Sequence, residues 1–126
     1  MYKRYRKYGN KKVKYDSITF DSKKEYVRYL ELKAMEEEGI ISELRVHVTY
    51  TIFRGFKDQD GKKHRDITYT PDFVYLKDDV IVCEDLKSVA TQRDPVYRMK
   101  KKMFIYVLLR MQERDGKEYK FNEVVR

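Results

Sequence analysis

The stretch 70–88, TPDFVYLKDDVIVCEDLKS, constrains the fold of this 126-residue chain more than any other. Phe73–Leu76 reads as a strand, Lys77-Asp78-Asp79 as a polar turn, and Val80-Ile81-Val82-Cys83 as a second strand. The second run is apolar on both faces, the pattern of a buried strand. It ends in Glu84, Asp85 and Lys87, and unpaired charge is costly to bury. Side chains alternate along a strand, so Asp85 and Lys87 share one face and Glu84 takes the other. A tight hairpin brings Asp72 beside Asp85 across the ladder. Two carboxylates that close repel unless a cation lies between them. Mg²⁺ suits that place, because it takes one or two carboxylates and completes its shell with water and phosphate oxygens. Lys87 then stands near a metal-bound water and a phosphate. Pro71 cannot donate to a ladder, which frees the chain locally at Asp72. With Glu84 on the far face, Glu84→Gln is expected to keep cleavage within about tenfold of wild type.

The flanking chain supplies two helices and further strands. Ile18–Phe20 is a short extended piece. Ser22 with Glu25 three residues on is a capping box, and Gly39 stops the helix after about Glu38. Tyr26, Val27, Leu30 and Ala34 form its apolar stripe. Residues 44–53, LRVHVTYTIF, alternate as a half-buried strand, with His47 a surface residue rather than a ligand. The polar loop 57–66 turns at Asp60-Gly61, and its Lys62, Lys63, His64 and Arg65 either touch phosphate or are solvated. Beyond Lys87, Asp94 caps a second helix with Pro95 in its first turn, running to about Gln112. Val96, Met99, Met103, Tyr106 and Val107 form its stripe, with Arg98, Lys101 and Lys102 opposite. Lys100 falls inside the stripe, its stem buried and its head reaching a polar cleft or solvent. Ile105 and Leu109 fall on the polar back, which points to a second packing surface and a homodimer contact. Glu118–Val125 is a closing strand, with Tyr119, Phe121 and Val124 inward.

Charge indicates the partner. With 29 Lys and Arg against 21 Asp and Glu, the net charge is +8, a surplus that suits nucleic acid. Residues 1–14 concentrate it in Lys3, Arg4, Arg6, Lys7, Lys11, Lys12 and Lys14, with no acidic residue and with Tyr2, Tyr5 and Tyr8 interleaved. This is expected to be a flexible arm that binds the DNA backbone and stacks tyrosines on bases. Residues 15–126 then form one domain. The lone Cys83 excludes an internal disulfide and reads as a core residue. A structural zinc site is not expected with one Cys and two His. No apolar run has membrane-spanning length and no signal core follows the basic start, so the default location is the cytoplasm.

Pro71-Asp72 followed by Asp85-Leu86-Lys87 resembles the hallmark of the PD-(D/E)XK nuclease superfamily. The order helix, strand, strand, strand, helix, strand over Asp21–Val125 is similar to its α-β-β-β-α-β core. The wording around the motifs also looks like small phage-encoded nuclease-like proteins of unassigned function. Size and charge are similar to archaeal-type Holliday junction resolvases. The resemblance implies an α/β (α+β), restriction-endonuclease-like fold whose central mixed four-stranded sheet is flanked by helices. It implies a Mg²⁺-dependent DNA endonuclease, with Mn²⁺ able to substitute. Selectivity for branched or junction DNA and work in phage DNA recombination, in the host cytoplasm, would follow. Asp72 and Asp85 would hold the metal and Lys87 would assist catalysis. Glu25 is either a third acidic ligand or only a helix cap. Lys3, Arg4, Arg6, Lys7, Lys11, Lys12, Gln92, Lys100 and Lys101 would contact DNA. The competing reading is a non-catalytic DNA-binding accessory protein whose nuclease-like site is unused.

Overall fold

The computed structural model describes residues 12–15 and 17–126. Lys3, Arg4, Arg6, Lys7 and Lys11 of the basic arm lie outside these residues. The described chain opens with the antiparallel pair β1 (Val13–Tyr15) and β2 (Ile18–Phe20), so the last two residues of the arm, Val13 and Lys14, belong to a strand. Helix α1 (Lys23–Glu37) and strands β3 (Ser42–Val46), β4 (Tyr50–Phe53), β5 (Phe56–Lys57), β6 (Lys63–His64) and β7 (Ile67–Tyr69) follow. Then come β8 (Phe73–Lys77), β9 (Val80–Lys87), the short α2 (Val89–Gln92), α3 (Pro95–Asp115) and β10 (Glu118–Val125).

The central sheet has the order β10-β9-β8-β3, with β9 and β10 parallel and the other pairs antiparallel. This is the mixed four-stranded sheet expected from the sequence. The β8–β9 hairpin turns on Asp78 and Asp79, both at positive φ (50° and 65°). A two-residue loop of that kind matches the twist of the strands, and aspartate tolerates the left-handed region. One face of the sheet packs Phe73, Tyr75 and Val82 against Phe20, Tyr29 and Leu32. The other packs Val74 and Cys83 against Tyr97, Phe104 and Leu108 of α3 and Ile52 and Tyr69 of the β4–β7 pair. Cys83 is the core residue expected, and burial pushes its thiol up to about 11.

Three expectations are corrected. First, 44–53 is not one strand. Pro71 offers no N–H, so the β3–β8 ladder ends at the Val46–Phe73 pair. The chain turns away at His47 (φ 55°), whose N–H donates to the Asp72 carbonyl at 3.4 Å, and β4 pairs with β7 instead. Second, the buried face of α1 is Glu25, Tyr29 and Leu32, at i, i+4, i+7, while Val27 and Leu30 are exposed. Tyr29 packs between Phe20 (5.0 Å) and Phe73 (6.4 Å), and Arg28 reaches the buried Glu84, which together set the helix rotation. Third, α3 buries Tyr97, Phe104 and Leu108 and leaves Val96, Met99 and Tyr106 exposed. Lys101 is therefore on the sheet-facing stripe, not opposite it, and pairs with Glu123 of β10. Lys100 flanks that stripe and is half-buried.

Cap chemistry is as read, with small shifts. Ser22 Oγ accepts the Glu25 N–H at 3.1 Å, and Asp94 accepts the Val96 N–H at 2.9 Å. Gly116 (φ 74°) closes α3 three residues beyond Gln112. Ile105 and Leu109 are exposed, as expected. Among the described residues no helix is long and apolar enough to cross a membrane.

Candidate active site

Asp72 lies between Pro71 and the start of β8, where the ladder has been interrupted. Its Oδ2 accepts the Leu86 N–H at 2.7 Å, which ties it to the end of β9. Asp85 sits in β9, 1 % exposed, and its Oδ2 accepts the Tyr69 hydroxyl. Lys87, two residues on and on the same face, places Nζ 3.3 Å from Asp85 Oδ1. That Oδ1 is buried and accepts no hydrogen bond. The three motif residues are thus brought together at one end of the sheet.

The electrostatics of the site are unfavourable as it stands. Burial pushes the Asp72 carboxyl well above its ordinary range, and the nearby charges of Asp85 and Glu25 push it further, while Lys87 opposes them. Asp85 Oδ1 accepts no hydrogen bond, and the Lys87 ammonium is its charged neighbour. Among the described residues no group of three His, Cys, Asp or Glu side chains is arranged to hold a metal ion. The acidic centre is the Asp72–Asp85 pair, and Glu25 lies near enough for its charge to act on Asp72.

Glu25 projects from the first turn of α1 and is buried. Its Oε1 is 3.0 Å from His47 Nε2 and its Oε2 accepts the Asp21 N–H at 3.3 Å. Burial raises its pKa, and the bond to His47 and the imidazole's charge pull it back. The resemblance left Glu25 open between cap and ligand. The observed helix rotation aims it at the sheet, and its carboxylate contacts His47 rather than completing the capping box at Ser22. His47, read from the sequence as a surface strand residue, is therefore part of the site. The signal for it was Pro71, which ends the ladder opposite Val46. His47→Asn removes the imidazole while asparagine tolerates the positive φ. The expected result is a higher Glu25 pKa, read by carbon-detected NMR titration of the carboxyl, with the fold unchanged. An unchanged Glu25 titration would show that the imidazole does not govern it.

Behind Asp85 lies a polar layer that sequence reading missed. Tyr69 interacts with the Tyr97 hydroxyl, and Tyr97 donates to Glu123. Burial raises the Tyr69 and Tyr97 hydroxyls far above the ordinary range, so both remain protonated donors. Lys87 Nζ lies 5.1 Å from the centre of the Tyr97 ring, a cation–π distance. In front of the motif is a cleft of about 1090 Å³ that exposes Glu25, Asp72, Leu86 and Lys87. Its rim carries Lys12, Lys23, Lys24 and Arg126, the last paired with Glu31. Of the other residues expected to bind DNA, Lys12 is on this rim, whereas Gln92 and Lys101 hold Glu123.

Fold and site together define a mixed α+β domain with a basic-rimmed cleft over two buried carboxylates and a lysine. The model of a family described as protein of unknown function (DUF1064) matches residues 5–122, and the chain belongs to that family. No curated protein and no solved structure matches it.

Proposed function

We propose that this protein is a divalent-metal-dependent DNA endonuclease. The observation that carries the reading is the buried Asp72–Asp85 pair, with Lys87 Nζ 3.3 Å from an Asp85 Oδ1 that accepts no hydrogen bond, under a basic-rimmed cleft. The pair fits a hard cation, for which carboxylate oxygens are the proper ligands. Asp72 and Asp85 would hold Mg²⁺ or Mn²⁺, which when bound supplies a Lewis acid and an acidified water. Lys87 contributes a fixed positive charge at the cleft floor, where it offsets negative charge building on a phosphate. Tyr69 fixes the Asp85 carboxylate by donating to Oδ2, so that Oδ1, beside Lys87, would be the ligating oxygen. Lys12, Lys23 and Lys24 hold the phosphate backbone without reading sequence.

The test is cleavage of linear duplex, single-stranded, flap and four-way-junction DNA with Mg²⁺ or Mn²⁺ and with chelator. Metal-dependent cleavage of at least one substrate is expected. Lys87→Ala should lower its rate about 10²–10³-fold, the usual loss for a preorganised transition-state donor. Binding without cleavage under every metal condition would favour the accessory-protein reading. Neither binding nor cleavage would remove both.

A further inference from the structure

A second cavity, about 490 Å³, lies where α2 ends and α3 begins. It is lined by Gln92, Arg93, Arg98, Lys101, Lys102 and Ile105, so every charged group in its wall is cationic. Arg93, Arg98 and Lys102 are exposed and form no ion pair with any described residue. Like charges gathered in a concavity raise the local positive potential and favour an anion there. Two arginines add planar forks that match phosphate oxygens.

Two side chains of this wall, Gln92 and Lys101, are fixed from behind by Glu123. Glu123, largely buried, accepts from Gln92 Nε2 at 2.9 Å, from Lys101 Nζ at 3.0 Å and from the Tyr97 hydroxyl. Lys101 offsets the charge of Glu123, and the other carboxylate near this wall, Asp94, accepts the Val96 N–H as the cap of α3. Tyr97 leads through Tyr69 to Asp85, so one polar layer supports both the cavity and the acidic pair. The two cavities flank α2 and share its surface. Thr91 lines the cleft and the adjacent Gln92 lines the second cavity. A small anion needs one such place. A polymer with phosphates at regular intervals can fill both.

We infer that the α2–α3 cavity is a phosphate subsite for the DNA strand whose reacting phosphate lies in the cleft, with the backbone crossing α2 between them. The inference rests on the nuclease reading above. Its role is uniform binding, which lowers KM and leaves kcat alone.

The test compares wild type with Arg93→Ala/Arg98→Ala/Lys102→Ala, whose three side chains are exposed and whose folding is checked by thermal melt. A second triple variant, Lys62→Ala/Lys63→Ala/Arg65→Ala, removes the same charge at the β5–β6 hairpin. Binding of a labelled duplex is followed by anisotropy in chelator over a salt series, and cleavage by steady-state kinetics with metal. The cavity variant should bind at least tenfold more weakly, with a salt slope smaller by about two to three. Its KM should rise at unchanged kcat, and the hairpin variant should stay close to wild type. If wild type binds and cleaves but the cavity variant matches it, the subsite is overturned and the nuclease reading stands. Equal losses in both variants would reduce the effect to net charge and also overturn it. A wild type that neither binds nor cleaves would end both.

Discussion

Asp85→Asn is expected to abolish cleavage and, in the absence of metal, to make the protein more stable. The cleavage loss should be about a thousandfold or more, roughly 4 kcal/mol of barrier, because the amide removes the charge that fits the cation. Asparagine keeps an acceptor for Tyr69, so the local packing survives. The stability gain follows from Asp72. Its carboxyl is held above the ordinary value of 3.8 by burial first and by the charge of Asp85 second. A carboxyl raised in this way contributes stability below its unfolded pKa and loses it as pH rises through the raised folded value. Metal-free wild type should therefore be more stable in mild acid than at neutral pH. Asp85→Asn should raise the thermal midpoint at neutral pH by a few degrees and flatten that pH dependence. Mg²⁺ should raise the midpoint of wild type and not of the variant. Full cleavage by the variant, or a lower midpoint in chelator, would remove the acidic pair from the argument. DNA affinity in chelator should be unchanged or slightly higher, since a negative charge near the phosphate is gone.

The second large effect lies on the other face of β9. Glu84 is on the side opposite Asp85, as strand alternation requires, but it is not free to change. It is fully buried and accepts from Arg28 Nε at 2.7 Å, Arg28 Nη2 at 2.8 Å, Tyr75 at 2.8 Å and Asn122 at 3.3 Å. Strand alternation bears only on cleavage by Glu84→Gln, expected within about tenfold of wild type. The variant's stability should fall, because an amide cannot balance the Arg28 charge. Arg28→Ala leaves a carboxylate buried without its counter-charge and should cost about 3–5 kcal/mol. At roughly 4 °C per kcal/mol, the midpoint should fall by about 10–20 °C. Replacing both partners by apolar residues, Arg28→Met with Glu84→Leu, should cost less than Arg28→Ala alone, since no charge is stranded. A double variant as damaged as the sum of the singles would mean the two side chains do not depend on each other. The pair also sets the site. Arg28 follows Glu25 by three residues and Glu84 precedes Asp85, so their bond holds α1 in register with β9. Loss of the pair should therefore lower activity in the folded fraction as well.

Features carried by neighbouring residues were legible in the chain. The Asp78-Asp79 turn, the caps at Ser22 and Asp94, the stop at Gly39 and the opposite faces of Glu84 and Asp85 depend on spacing and local backbone preference. The strands around Phe73–Leu76, Val80–Cys83 and Glu118–Val125 could be read from such pieces because turn residues bound them, whereas the mixed four-stranded sheet was what the resemblance implied. The rotation of α1 and α3 could not be, because each helix offers more than one plausible apolar stripe. Partners distant in sequence choose between them. Arg28 and Glu84 are 56 residues apart, and Lys101 and Glu123 are 22 apart. The break at His47 needed the knowledge that Val46 pairs with Phe73, two residues after a proline. The Tyr69 bond to Asp85 and the layer running on to Glu123 likewise exist only once β7, β9, α3 and β10 are packed. Periodicity and turn chemistry are properties of adjacent residues, whereas a buried charge's partner is set by whichever strand or helix the fold lays beside it.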